Sequence, residues 1–261
     1  MNTMHVWMLT ALFACDAGTP EAPPPTIEKV STEITYDSVA RLGPHHATSS
    51  IERVESRGGE QVHSTLEAID IAWNSWDSFH FQRALDGEAS FEVIVHEGKS
   101  ASRNGRGPWT AELDGESARL DVYTAWNAWD EALGRFEDRI VYEEIDASVI
   151  DGRDTKRFRV SLAVQKTDSK RKKSRRTLEP VHIEGTVHLD AQTAVRLHAE
   201  VKAVAKQGDL RRTIQLKIQR SRLGQSQPIE APAAQLGTAG ELLRRLPARR
   251  SGRGPDPTTL R

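Results

Sequence analysis

His45 and His46 form the only adjacent histidine pair in the chain, and two neighbouring imidazoles can hold a metal ion when a third ligand converges on them. No helix or strand spacing supplies that third ligand, and Leu42-Gly43-Pro44-His45-His46 reads as a turn or loop. His182, His188 and His198 fall on the polar phase of an alternating pattern. If Ala191-Gln192-Thr193 closes a tight hairpin, His198 pairs near Thr186 with His188 diagonal to it, so these rings face either a surface metal or simply water. Trp76-Asp77 and Trp129-Asp130 twice set a carboxylate beside an indole, residue types that serve glycoside cleavage, but nothing sets the distance between the two acids. The sequence has no Gly-rich phosphate loop, no His-Glu-x-x-His, no Gly-x-Ser-x-Gly and no cysteine cluster. The expectation is a protein that is not an enzyme, with no catalytic residue, no metal site and no cofactor.

Charge is segregated. The formal net charge is −1 over 261 residues, yet Lys166 to Arg176 carries a net +6 and Arg244 to Arg261 a net +5, so the remaining body is acidic. A basic run beside an anionic surface contributes about 1 kcal/mol per base. No aromatic residue interleaves the bases of Lys166 to Arg176, so the stacking platform of a single-stranded nucleic-acid module is missing and no nucleic acid is expected. The alternative for this run is a solvated hairpin loop.

There is one cysteine, Cys15, which excludes an intrachain disulfide. It closes an apolar run from Val6 to Ala14, shorter than the roughly 18 residues of a membrane span and of the length a signal peptide needs. Leu12-Phe13-Ala14-Cys15 resembles the lipobox of bacterial lipoproteins. The resemblance covers the first fifteen residues and implies cleavage before Cys15 and diacylation of its thiol. Two acyl chains, at about 0.8 kcal/mol per buried methylene, supply the two signals that stable anchoring requires. An uncleaved apolar N-terminus with an incidental cysteine is the alternative. Asp16 resembles the inner-membrane retention signal of enteric lipoproteins, a rule that does not carry between phyla, so the choice of membrane stays open. Residues 16–26, with Pro23-Pro24-Pro25, read as an extended tether.

The elements that position everything else are strands. Val181, Ile183, Val187 and Leu189 alternate with polar residues; so do Val195, Leu197, Ala199, Val201, Ala203 and Ala205, and then Ile214, Leu216 and Ile218. Side chains alternate across a strand, so three such runs with short turns predict an antiparallel meander with one apolar face. Ile69, Ile71 and Trp73, then Phe79 and Phe81, then Phe91, Val93 and Val95 repeat the pattern upstream, with Asp86-Gly87 as a hairpin turn. Ile34, Tyr36 and Val39, and then Ile51 and Val54, could each start a strand. Ile140 to Ile145 and Phe158 to Val164 flank a further turn at Asp151-Gly152.

One stretch changes period. Leu120, Tyr123, Trp126, Trp129, Leu133 and Phe136 lie three or four apart, which predicts a helix over about 117–137, some 30 Å long, with both tryptophans facing a sheet. Ala72-Trp73-Asn74-Ser75-Trp76-Asp77 echoes Ala125-Trp126-Asn127-Ala128-Trp129-Asp130. The two tryptophan pairs either cap a sheet in two places or line one aromatic cavity. After Leu223-Gly224 the composition collapses, and residues 225–261 form a Pro- and Arg-rich tail expected to be disordered.

The expected fold is thus mainly β (α+β): an antiparallel domain over 27–224, a curled meander or half-open barrel covered by one amphipathic helix. That architecture over Gln61 to Gly224, and the hairpin Val187-His188-Leu189-Asp190-Ala191-Gln192-Thr193-Ala194-Val195-Arg196-Leu197, resemble the periplasmic lipoprotein carriers and the mycobacterial lipid-carrying lipoproteins. The resemblance implies a half-barrel with helices in its mouth and an apolar cavity for acyl chains; the arginine that gates the carriers' cavity is assigned to no residue here. On that basis Trp73, Phe79, Phe81, Phe91, Trp126 and Trp129 are the expected ligand-binding residues. Cys15 is the expected lipidation site, and the protein is expected in the bacterial cell envelope with a lipid or an acylated protein as partner. The alternative is an interaction lipoprotein with a solid core that touches a partner or membrane through its basic loop.

Overall fold

The computed structural model describes residues 36–230 except 98, 113–115 and 164–177. Cys15 with its apolar run, the tether, the basic run Lys166 to Arg176 and the tail from 231 onward lie outside the described residues.

Among the described residues, eleven strands make one open antiparallel sheet: β1 (His45–Arg57), β2 (Glu60–Ser75), β3 (Ser78–Leu85), β4 (Glu88–His96), β5 (Lys99–Asn104), β6 (Thr110–Glu112), β7 (Ile140–Ile150), β8 (Arg153–Leu162), β9 (Glu179–Asp190), β10 (Arg196–Gln207) and β11 (Leu210–Ser221). Their spatial order is β6-β5-β4-β3-β2-β1-β11-β10-β9-β8-β7. The chain therefore meanders outward from the middle to the β6 edge, crosses to the opposite edge, and meanders back until β11 pairs with β1. That closing pair is in register from His46↔Ser221 to Arg57↔Leu210.

Turn chemistry sets the hairpins. Asp86 and Gly87 have φ of 52° and 83°, and Asp151 and Gly152 have 47° and 78°, the positive-φ pairs that match a two-residue loop to the right-handed twist of its strands. Gly185 acts differently: a Cβ there would stand 2.2 Å from the Glu200 carbonyl oxygen. Only glycine lets β9 approach β10 this closely.

The crossing from β6 to β7 is helical and covers the apolar face, but not as the single helix expected over 117–137. It consists of α2 (Glu116–Trp126), α3 (Ala128–Leu133) and a 3₁₀ segment Gly134–Arg139. The break falls at Asn127, whose φ and ψ are −87° and 32° and whose side-chain amide donates back to the Tyr123 carbonyl at 3.3 Å. An asparagine amide that bonds its own backbone competes with helix continuation. The break lets the layer serve two cores. Ala118, Val122, Ala125 and Trp126 pack on β2, β3 and β4, while Ala128, Trp129, Ala132, Leu133 and Phe136 pack on β8 to β11 with Ile51. Each large side chain fully buried here contributes roughly 1.5–3 kcal/mol.

Two further expectations change at the start of the domain. Tyr36–Leu42 is a helix, α1, and not a strand; Asp37 in its first turn and Arg41 in its last complement the helix dipole. His45 and His46 begin β1 and are not in a loop, because Ala72 and Trp73 of β2 pair with them.

Candidate functional site

All six aromatic residues expected to bind ligand lie on the helix-facing side of the domain. Trp73 on β2 pairs with Phe79 on β3, Ile71 with Phe81, and Arg83 with Phe91 on β4. Trp73, Phe79, Phe81 and Trp126 belong to one cluster, with Phe91 packed against it. Trp129 lies in the other half, its indole N–H donating to Glu137 at 2.8 Å and its ring under the Arg196 guanidinium at 4.4 Å. The echoed tryptophan pairs do not line one wall: Trp73, Trp76 and Trp126 meet edge to face at 5.2–6.0 Å, and Trp129 stands apart from them.

The helical layer occupies this face. Trp73, Phe79, Phe81, Trp126 and Trp129 are 0–3% exposed. Two cavities between layer and sheet, lined by described residues, measure about 100 Å³ and about 10 Å³, against roughly 300–1,000 Å³ for ligand sites in general.

Beneath the layer sit polar groups that hydrophobic pattern reading passes over. His45 is buried between Trp73 and Trp126, with ring centroids at 5.3 and 5.8 Å. Its Nδ1–H donates to the Gly43 carbonyl at 2.8 Å. Burial, aided by the Arg220 and His46 charges, lowers its pKa to about 3, so the ring is neutral. Arg220 of β11 is wholly buried, and burial together with the Arg196 guanidinium lowers its pKa to about 9. Its hydrogen bonds among the described residues go to two backbone carbonyls, that of Arg196 and, at 3.4 Å, that of Trp126 at the end of α2. The indole nitrogens of Trp73 and Trp126 and Nε2 of His45 are buried without a hydrogen-bond partner among the described residues. Each such group costs about 1–3 kcal/mol.

Toward the opposite ends of these strands the face turns from aromatic to charged. Glu67 of β2 is buried between Arg53 of β1, at 3.3 Å, and Arg83 of β3, at 2.5 Å. Arg53 also reaches Glu131 of α3 at 2.8 Å. The 100 Å³ cavity lies here, lined by Phe81, Phe91, Arg83, Asp121 and Glu131 among others. Burial raises the Asp121 carboxyl above its ordinary range, against the pull of Arg83. The sequence carries a signal for this cluster and for Arg220: each of Arg53, Glu67, Arg83 and Arg220 occupies the apolar phase of its strand, next to Ile51, Ile69, Phe81 and Ile218 respectively. A charge in the buried phase marks either a pair or a site.

The other side of the sheet is polar. Arg103, Glu92, Gln82, Asp70, Thr48, Gln219, His198 and His188 form one register row from β5 to β9. A groove of about 660 Å³ follows most of that row. Burial pushes the Glu92 carboxyl up, but bonds from His80, Gln82 and Arg103 hold it below the usual range. His188 and His198 are direct cross-strand partners, not diagonal ones, at 5.5 Å between centroids. Among the described residues no three His, Cys, Asp or Glu side chains converge as metal ligands. Strand alternation sends His45 and His46 to opposite faces, His46 to Asp70 at 3.0 Å. Asp77 is ion-paired with Arg119.

No protein-family model matches this sequence, and no curated protein matches it. Among solved structures it is similar to LprF from Mycobacterium bovis, with TM-score 0.31 and 13% identity over 80% of this chain and 99% of that one. It is also similar to a LolA superfamily protein from Nitrosomonas europaea, with TM-score 0.24 and 7% identity over 76% and 96%. The Pseudomonas aeruginosa MucA/MucB complex gives TM-score 0.24 and 15% identity over 79% of this chain and 61% of that chain.

Proposed function

We propose that this chain is a non-enzymatic envelope protein, anchored through Cys15, that binds a hydrophobic acyl-bearing ligand, a lipid or an acylated protein, between its helical layer and its sheet. The observation that supports this most is the under-satisfied layer beneath α2. Among the described residues, Arg220 is buried with carbonyl acceptors alone, and two indole N–H groups and a histidine nitrogen have no partner. A closed, permanently solid core gains nothing from such groups. An acyl ester offers carbonyl oxygens to indole and guanidinium donors and a tail to Trp73, Phe79, Phe81, Phe91 and Trp126. Trp129, in the second cluster, would meet ligand only if α3 also moves. The helical break at Asn127 gives the layer a hinge at which α2 can lift away from α3.

Native mass spectrometry on the full chain, purified without detergent, tests this reading. Added mass that organic extraction removes and identifies as lipid supports it. A bare polypeptide mass that takes up no added lipid overturns it.

A second reading has its own observation. A groove of about 660 Å³ lies on the polar side and reaches Arg83 and Phe91 at its edge. An interaction protein with a solid core would use that surface and the basic run Lys166 to Arg176, and would carry no lipid.

A further inference from the structure

The charged cluster divides cleanly between sheet and lid. The sheet contributes Arg53, Arg83 and Glu67, and the helices contribute Glu131 and Asp121. With the helices in place carboxylates outnumber guanidiniums. With α2 and its Asp121 lifted and the Glu131 side chain turned to solvent, the sheet keeps two arginines against one glutamate, a net positive rim. Glu67 is buried and fixed between the strands, whereas the Glu131 side chain is about a third exposed and can swing off Arg53 into solvent while α3 keeps its place. Nε of Arg83 is buried and has no acceptor among the described residues, so the cluster as it stands leaves a guanidinium donor unused. The floor beside this rim is apolar: Ile69, Phe81 and Phe91 line the same cavity, the two phenylalanines meeting edge to face at 6.1 Å.

A cationic rim next to an aromatic floor matches an amphiphile whose head is an anion. We propose that Arg53 and Arg83 select anionic amphiphiles, the carboxylate or phosphate head taking the place of the Glu131 carboxylate while the tail runs over Phe81 and Phe91. The Glu131 carboxylate is thus an internal stand-in for the ligand head, and the two compete for the Arg53 guanidinium, with Arg83 beside it. This rests on the acyl-binding reading above and adds the chemical class of the head.

The test compares probes of one tail length on the full chain: laurate, dodecyl phosphate and uncharged dodecanol, each below its micellar concentration, with tryptophan fluorescence as readout. Laurate and dodecyl phosphate are expected to bind roughly tenfold to a hundredfold more tightly than dodecanol, the ratio that one charge-assisted hydrogen bond supports. Arg83→Gln and, separately, Arg53→Gln are expected to collapse that preference toward unity, with dodecanol binding as the internal check that each variant is folded. Glu131→Gln, which removes the competitor, is expected to tighten laurate. Lys202→Gln on the polar face is expected to leave the preference as it was. Equal affinity for charged and uncharged probes, or a preference that survives both arginine variants, overturns the selectivity and leaves the acyl-binding reading standing. Inorganic phosphate that competes as well as dodecyl phosphate also overturns it, since the site would then bind a free anion. If no probe binds at all, both fall together.

Discussion

Arg220 on β11 donates to the carbonyl oxygen of Trp126, the last residue of α2, at 3.4 Å. This bond joins the middle of the sheet to the point where the helical layer breaks. It comes from a guanidinium that burial and Arg196 hold below its ordinary pKa, at about 9. A buried cation with no carboxylate partner among the described residues is a poor contributor to stability; in the acyl-binding proposal its part is to hold one end of the lid.

Replacing Arg220 by methionine separates those roles. Loss of the desolvation cost opposes loss of the two carbonyl bonds, so global stability is expected to change by less than about 2 kcal/mol. Amide exchange across α2 and α3 is expected to accelerate while β10 and β11 keep their protection. Unchanged exchange in the helices would mean that Arg220 does not pin the layer.

His45 makes stability depend on pH. Its folded pKa is lowered to about 3 against about 6.5 unfolded, so between those values the unfolded chain binds the extra proton. The contribution is complete above pH 6.5 and is lost as pH falls from 6.5 toward 3, with a slope on the order of 1 kcal/mol per pH unit. Denaturant titrations at several pH values should show this decline, and His45→Phe should flatten it. A His45→Phe profile parallel to the parent would assign the slope to other groups.

Asp190 acts through the same linkage at lower pH. Burial raises its carboxyl, but Arg153 at 2.7 Å and the hydroxyl and amide of Thr193 outweigh that and hold it below the usual range. A depressed carboxylate stabilises the fold above its unfolded pKa of about 3.9 and loses that contribution as pH falls further. Asp190→Asn is expected to lower the thermal midpoint at pH 7, with the difference shrinking below pH 3.9. A constant difference across that range would contradict the assignment.

Gly185→Ala probes the β9–β10 approach. With the Glu200 oxygen 2.2 Å from the new Cβ, β9 must move off β10, at a cost of about 3 kcal/mol. Urea unfolding measures it, and a loss under about 1 kcal/mol would show that the strands part freely there.

Cys15→Ser addresses the anchor. With the cysteine intact, radiolabelled palmitate is expected to enter the protein and the protein to sediment with membranes. The serine variant is expected to lose the label and move to the soluble fraction. Label retained in the variant would place acylation elsewhere.

Much of this molecule is written locally. The alternation of Ile69, Ile71 and Trp73, of Phe79 and Phe81, and of Ile214, Leu216 and Ile218 records which side chains leave water. Asp86-Gly87 and Asp151-Gly152 record where a tight loop must form. The spacing of Trp126, Trp129, Leu133 and Phe136 records a helical face. A run of seven residues, Tyr36–Leu42, was too short for its period to separate helix from strand, and the pattern across Asn127 hides a break because α3 keeps nearly the same buried face as α2.

The amino-acid sequence by itself determined that there is a large antiparallel sheet with one apolar face, a helical segment to cover it, and aromatic residues on the buried side. Only the tertiary structure decided that β1 pairs with β11, that Trp126 joins His45 and Trp73 while Trp129 does not, and that Arg220 reaches the end of α2. Periodicity reports each side chain's solvent exposure one strand at a time. Which distant strands share an edge depends on closing long loops and on how whole faces pack, and no local spacing carries that information.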